Sequence, residues 1–478
     1  MYNKSEFFCA PNVSKKALNR FYAHFSAEKE ELHALEVYEG GKLLIRSASA
    51  PYSTTDKREC YSISKSFTAT AIGMLITEGK LSEDDRIVDI FPDRCPPVIS
   101  ENLAALRVRH VLSMNMGQTD WECLMPQMTF ADDAAEAFLA QDFPLEPGTC
   151  FAYNTGGSCL LAAIVQHISG MTLLDYLNIK LFAPLGINGV NWVCVNDGTN
   201  AGGLGIQLCV GDMAKLGLLY LNGGVWMGKR LLSEEWVKAA SSPISDNNQN
   251  EDDKMDWRSG YGYQFWINAR DGYRCDGASG QYCLILPKYN MVFAIQTLLR
   301  DMPAEIDAIF DFIEHIHDAD DACDIPVLLP DYTPPRSMTR ITGMENRVYR
   351  LEENPLRFTT FSLSYDTAKD ALLLNFSNGE YTDTVTAGNG RYFESTLTAP
   401  YFLPRMDNLI DRRHVEMCRI ASSYRMIDGE VHWLARLLNC PNPVHVKIAF
   451  SDEAVTIRIE PDELVVYNAT VIKGTLQN

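Results

Sequence analysis

Ser62 and Lys65 stand three residues apart at the head of Tyr61 to Phe91, YSISKSFTATAIGMLITEGKLSEDDRIVDIF. On a helix, residues three apart lie one turn apart on one face, so the amine can reach the hydroxyl. If that amine is buried, its ammonium form is disfavoured, its pKa falls, and the neutral amine can take the serine proton. A nucleophile and its base need this pairing. The spacing alone is weak evidence, because Ser26-Ala27-Glu28-Lys29 has it too. Context separates the two: Ser26 lies among charges, whereas Ser62 opens an apolar stretch whose helix N-terminus would place partial positive charge near the hydroxyl. The competing reading makes Ser62 a helix cap and Lys65 a solvated first-turn residue.

The elements that must hold this pair can be read from the surrounding pattern. Phe67, Ala71, Met74 and Leu75 keep helical spacing, Ala69, Ala71 and Gly73 thin the surface for close packing, and Gly79 sits where a left-handed C-terminal cap belongs. Residues 1–30 read as helical and polar. His33 to Ala48 reads as two strands joined at Gly40-Gly41. Leu106 to Met114 has a helical apolar pattern, and Trp121, Met125 and Met128 occupy a loop as core or as the wall of a pocket. Tyr261 to Thr297 supplies three strand-like runs, YGYQFWI, YRCDGASGQYCLILP and MVFAIQT, which predict an antiparallel meander. Ile306, Ile309, Phe310, Ile313 and Ile316 then form one apolar helical stripe, suited to covering a sheet.

The segment IPVLLPDYTPPR, from Ile325 to Arg336, holds four prolines and reads as a linker. It divides the chain into residues 1–335 and a β-textured region, residues 336–478. Hairpin signals at Asn378-Gly379 and Asp428-Gly429 separate strand-like runs there, which predicts a small antiparallel barrel or sandwich. A chain of 478 residues with 46% hydrophobic and 22% charged residues fits such a two-domain globular protein. The net charge of −20 argues against nucleic acid and anionic membranes. That charge is unevenly spread: 16 basic and 18 acidic residues follow from Arg336 onward, against 26 and 44 before it. The 13 cysteines are scattered without a C-x-x-C pair, and Cys159 and Cys209 sit in apolar segments as buried thiols would. No apolar run approaches bilayer length and the first residues lack a secretory pattern, so the expected compartment is the cytoplasm.

With these elements in place, SISKSFTATAIGMLITEGKL resembles the nucleophile helix of the serine β-lactamase and penicillin-binding-protein superfamily, particularly its class C-like and esterase-like branch. Further stretches match in order: Val108 to Met114 with Gly117, Pro147-Gly148 before Phe151-Ala152-Tyr153, Pro184-Leu185-Gly186, and Gly203-Leu204-Gly205 through Asp212-Met213-Ala214. The likeness covers roughly residues 30–320 and adds order to spacing. It implies an α+β fold: an antiparallel sheet flanked by helices plus an all-helical part, here followed by the β domain. It also implies Ser62 as the acyl-forming nucleophile, Lys65 as its partner, and Tyr153 as the group relaying protons to and from the leaving group. A phenol beside a lysine is expected to approach its anion. Tyr220-Leu221-Asn222 has the same Tyr-x-Asn spacing as the family's second motif but falls on a helix, where positions two apart diverge.

Two departures bear on substrate. The family's Tyr-x-Asn is here Tyr153-Asn154-Thr155, so substrate grip falls to the Thr155 hydroxyl or to Asn154. The third motif, usually Lys or His before small residues, is matched by Asp276-Gly277-Ala278-Ser279-Gly280, with Asp276, Gly277 and Ala278 lining the substrate and the Ser279 amide joining that of Ser62 as the oxyanion hole. An aspartate there repels the carboxylate of β-lactams and D-alanyl peptides and favours a cation, although Arg274, two residues earlier, faces the same side. An ester or amide lacking that carboxylate is therefore the expected substrate. β-Lactamase or D-alanyl peptidase activity, and a silent ligand-binding protein on the same fold, are the alternatives. No Walker or dinucleotide motif calls for a cofactor. His315, His317, Asp318, Asp320 and Asp321 read as a solvated helix end rather than a metal site, and oligomeric state is not encoded in any motif.

Overall fold

A computed structural model describes residues 5–26, 30–119, 128–248, 255–319, 325–339, 346–397, 418–460 and 470–477. Its first large unit is a seven-stranded antiparallel sheet in the order Glu6–Cys9, Lys42–Ala48, Glu31–Glu39, Met291–Leu298, Gln281–Leu286, Tyr273–Gly277 and Trp266–Ile267. The Glu31–Glu39 and Lys42–Ala48 strands turn at Gly40 and Gly41, whose φ angles of 55° and 73° carry the tight turn that the Gly-Gly pair predicts. The strand Met291–Leu298 is buried along its whole length. Its side chains alternate between two cores, with Val292 and Ala294 on one face and Met291, Phe293 and Ile295 on the other.

The second face is closed by the helices Lys15–Ala23 and Met302–His315, the latter burying the predicted stripe of Ile306, Ile309, Phe310 and Ile313. The first face carries the helix Val210–Leu221 and the nucleophile helix Ile63–Thr77, beyond which lies a helical part that includes Thr155–Ser169. Every residue from Ile63 to Leu75 is buried. A helix apolar on all sides belongs in a core, and its polar residues are bonded there: Ser66 Oγ donates to the Gln264 carbonyl, Thr68 Oγ1 to that of Gly202, and Thr70 Oγ1 to that of Ser66. Gly73 explains the close packing. A Cβ at that position would lie 2.2 Å from the Trp236 indole.

Three expectations are corrected. Residues 1–30 are not uniformly helical, because Glu6–Cys9 pairs with Lys42–Ala48 as the sheet's edge strand. YGYQFWI is mostly irregular, with only Trp266–Ile267 in the sheet. There, buried Gln264 adopts φ 62° and bridges the helical part to the nucleophile helix: its Nε2 donates to Leu112, its Oε1 accepts from Ser158, and its carbonyl accepts from Ser66. Between Leu106 and Met114 only Val108–Leu112 is helical. Met128 is core, whereas Trp121, Met125 and Lys29 lie outside the described residues.

Ile325 to Arg336 contains neither helix nor strand. Beyond it, ten strands among the described residues form one sheet with antiparallel neighbours, and a parallel bridge between Gly388 and Ser423 closes nine of them into a barrel. Phe361, Phe376, Trp433, Val446 and Ile457 fill the interior. Asp428 and Gly429, at φ 51° and 85°, make the predicted hairpin. The strands Val348–Leu351, Thr360–Asp366 and Thr470–Leu476 complete the barrel, and Phe393–Leu397 pairs alongside Cys418–Ile427, none of them having stood out in sequence.

Candidate active site

Ser62 sits at the N-cap position of its helix with helical φ −70° and ψ −6°, and its side chain makes no capping bond. The hydroxyl is therefore not occupied as a cap. It accepts a hydrogen bond from Lys65 Nζ at 2.9 Å, and the same ammonium donates to the Gly203 carbonyl at 2.7 Å. Lys65 is only 1% exposed. Loss of hydration pushes its pKa down to about 7, against a smaller opposing pull from Asp276. A solvated first-turn lysine is thereby replaced by a buried amine within reach of the serine.

Tyr153 arrives from the segment before the helix Thr155–Ser169 and lies close enough to Ser62 for that hydroxyl to act on its pKa. Its ring stacks on Trp266 at 5.5 Å, meets Tyr261 edge-on at 6.1 Å, and presents its face to Lys65 Nζ 4.8 Å away. The expected drift of this phenol toward its anion is not found. Desolvation raises its pKa well above the ordinary value; the Ser62 hydroxyl opposes this and the charge of Asp276 reinforces it. Ser62 is thus flanked by a base tuned down and a phenol tuned up, a separation that suits one group to taking a proton and the other to giving one.

Asn154 is diverted from substrate. Its Oδ1 accepts from Gly157 N as a helix cap, its Nδ2 donates to Gln118 Oε1, and it is 1% exposed. Thr155 is half-buried and sets its methyl against Gly203, where a Cβ would come within 2.7 Å of it. Tyr220, rejected on spacing, is a core residue bonded to Thr70 and Trp236.

The opposite wall is the end of Tyr273–Gly277. Gly277 lies so close to the nucleophile segment that a Cβ would stand 2.4 Å from the Cys60 carbonyl oxygen, so only glycine permits this approach. Ala278 is exposed at the rim. Ser279 takes φ 60°, and its carbonyl accepts from Thr297 Oγ1 at 2.9 Å and Gln281 Nε2 at 3.1 Å, which pins the turn. Asp276 is not a free carboxylate. Arg274 Nε donates to its Oδ2 at 2.9 Å and Arg274 Nη1 to Asn268 Oδ1, with the guanidinium fully buried over Trp257. Burial raises the Asp276 pKa, while Arg274, Trp257 and Lys65 pull it back. The pair is locally neutral, so the preference for a cationic substrate expected from Asp276 alone is withdrawn.

Glu59 escaped sequence reading. Buried at 7% exposure, its Oε1 accepts from Tyr61 N at 2.9 Å and Gly205 N at 3.0 Å, joining the residue before the nucleophile to the loop that grips Lys65. Burial lifts its pKa to about 7. The only sequence signal was an acidic residue three positions before Ser62, which surface glutamates share. Away from this site, His317 bonds the Asn12 carbonyl and Glu39, and His315 the Asp311 carbonyl, while Asp320 and Asp321 lie outside the described residues.

The family model for beta-lactamase matches residues 26–312. The chain belongs to the beta-lactamase family. The beta-lactamase-family chain is 24% identical over 220 residues to 6-aminohexanoate-dimer hydrolase from Paenarthrobacter ureafaciens, a match covering 43% of this chain and 56% of that protein. Across four curated relatives the match spans between 26% and 56% of their lengths. A family VIII carboxylesterase structure superposes with TM-score 0.51 at 18% identity, covering 66% of this chain and 99% of that one. The structure of SurE with D-Leu also gives 0.51 at 18% identity, covering 86% and 94%. At these identities the likeness is one of fold.

Proposed function

We propose that this beta-lactamase-family protein hydrolyses an ester or amide through an acyl-enzyme on Ser62. The observation that carries the reading is Lys65 Nζ, buried and with its pKa lowered to about 7, at 2.9 Å from Ser62 Oγ. Neutral Lys65 takes the Ser62 proton as Oγ attacks the substrate carbonyl. The tetrahedral oxyanion meets the backbone amides of Ser62 and Ser279. Tyr153, held protonated, gives its proton to the departing alcohol or amine and is reprotonated from Lys65. Water then attacks the acyl ester by the same steps in reverse, releasing the acid and restoring Ser62. Gly277, Ala278 and Thr155 border the acyl group.

The choice of ester or amide over β-lactam or D-alanyl peptide rests on the strand facing Ser62. A substrate carboxylate calls for an accessible cation there, whereas the chain has Asp276 with Arg274 already bonded to it. Relatives named penicillin-binding protein 4 and D-aminopeptidase stand beside the dimer hydrolase and the carboxylesterase, so the test has two arms. Intact-mass spectrometry after a fluorophosphonate should show one adduct on wild type and none on Ser62→Ala. An adduct with a β-lactam only would move the assignment to β-lactamase or D-peptidase chemistry. No adduct with either, combined with retained ligand binding, would leave a silent binding protein.

A further inference from the structure

The barrel meets the first unit in two places: Arg436 pairs with Glu31 and bonds Tyr52, and a second set of contacts falls on the few residues that lead into the nucleophile. Asp56 pairs with Arg419 Nη1 at 3.1 Å, and the Lys57 carbonyl accepts from Asn439 Nδ2. Arg58, with no exposed surface, donates from Nη2 to the carbonyls of Leu437 and Cys440 at 3.3 and 3.1 Å. The Glu59 amide donates to the Asn439 carbonyl at 2.8 Å. Tyr61, adjacent to Ser62, donates its hydroxyl to Asn442 Oδ1 at 2.8 Å, and Asn442 is 1% exposed. The barrel side of these contacts is concentrated in the loop between the strands Glu430–Leu437 and Pro443–Phe450.

Tyr61 has φ 47°. For a bulky residue this left-handed conformation is costly and persists only where the surroundings over-determine it. The Tyr61 carbonyl accepts from Ser64 Oγ at 2.6 Å and its hydroxyl also lies 3.9 Å from Cys440 Sγ, and two further bonds tie it to its neighbours. Its amide is fixed by Glu59 Oε1 and its hydroxyl by Asn442. The backbone turn at Tyr61 sets where Ser62 enters its helix, and so where Oγ stands relative to Lys65.

We infer that Asn442 is a positioning residue for Ser62, through which the C-terminal barrel braces the nucleophile. The inference rests on the Ser62 hydrolase reading. A nucleophile displaced by about an ångström reacts up to about a hundredfold more slowly.

The test uses the full chain and a fluorophosphonate concentration series, which separates the saturating labelling rate of Ser62 from the half-saturating concentration. Asn442→Leu and Tyr61→Phe should each lower the saturating rate about tenfold or more and leave half-saturation unchanged. Asn442→Asp, which keeps an oxygen acceptor, should retain the rate. The double variant Tyr61→Phe/Asn442→Leu should be no slower than the slower single variant, since both remove the Tyr61–Asn442 bond. Tyr61→Phe loses a single oxygen and keeps the question open to answer should Asn442→Leu not fold. Wild-type labelling rates in Tyr61→Phe, or losses that multiply in the double variant, would overturn the brace. A wild type that takes no label would instead overturn the hydrolase reading and the brace with it.

Discussion

The most decisive perturbation of this site is pH, because the two readings of Lys65 diverge by orders of magnitude. A lysine in water keeps its pKa near 10.5, so only about 0.03% is neutral at pH 7 and the neutral fraction keeps growing to pH 10. Burial beneath the helix start lowers the Lys65 value to about 7. About half would then be neutral at pH 7, about a tenth at pH 6 and about a hundredth at pH 5. Attack by Ser62 needs the neutral amine, so the labelling rate should rise tenfold per pH unit on the acid side and level off above about pH 7. The assay is the pseudo-first-order rate of fluorophosphonate adduct formation, followed by intact mass from pH 5 to pH 9. Lys65→Arg should abolish the limb, since a guanidinium does not deprotonate in this range. Tyr153→Phe should leave its position in place, because the phenol titrates far above it. A rate still climbing at pH 9, or one flat from pH 5 upward, would refute the assignment of Lys65 as a buried base.

Other outcomes follow from the same contacts. Tyr153→Phe should lower ester turnover by about 10²-fold or more while Ser62 still takes the fluorophosphonate, whose fluoride leaves without a proton; equal turnover would remove Tyr153 from the proton path. Arg274→Leu takes from buried Asp276 its ion-pair partner and should cost about 3–5 kcal/mol in urea unfolding, with a loss below about 1 kcal/mol showing that the pair is not confined as described. Gly73→Ala should destabilise by about 1–3 kcal/mol despite alanine's better helix propensity, because the new methyl meets Trp236; a more stable variant would contradict that packing.

Much of the framework was legible because it follows local rules. Gly40-Gly41 and Asp428-Gly429 signal tight hairpins through their freedom at positive φ, and both are found there. The stripe from Ile306 to Ile316 signals a helix on a sheet and is one. Misreadings came where distant partners decide local structure. Glu6–Cys9 is a strand only because Lys42–Ala48 offers an edge, and the run around Gln264 leaves the sheet because its side chain bonds Leu112 and Ser158.

At the site the division is sharper. Sequence alone supplied the candidates: a serine and a lysine one helical turn apart through residue type and short-range spacing, and, through the family resemblance, a tyrosine after a Pro-Gly turn and a Gly-Ala-Ser-Gly turn at a strand end. Tertiary structure decided their states. Burial, not spacing, brings Lys65 to about pH 7 and drives Tyr153 upward. Asn154 became a cap held by Gln118, and the Asp276 charge was neutralised by Arg274. Asn442, 380 positions after Ser62 in sequence, came to rest on the residue beside it. Desolvation and pairing depend on which surfaces meet when the chain closes, and spacing along the chain does not carry that information.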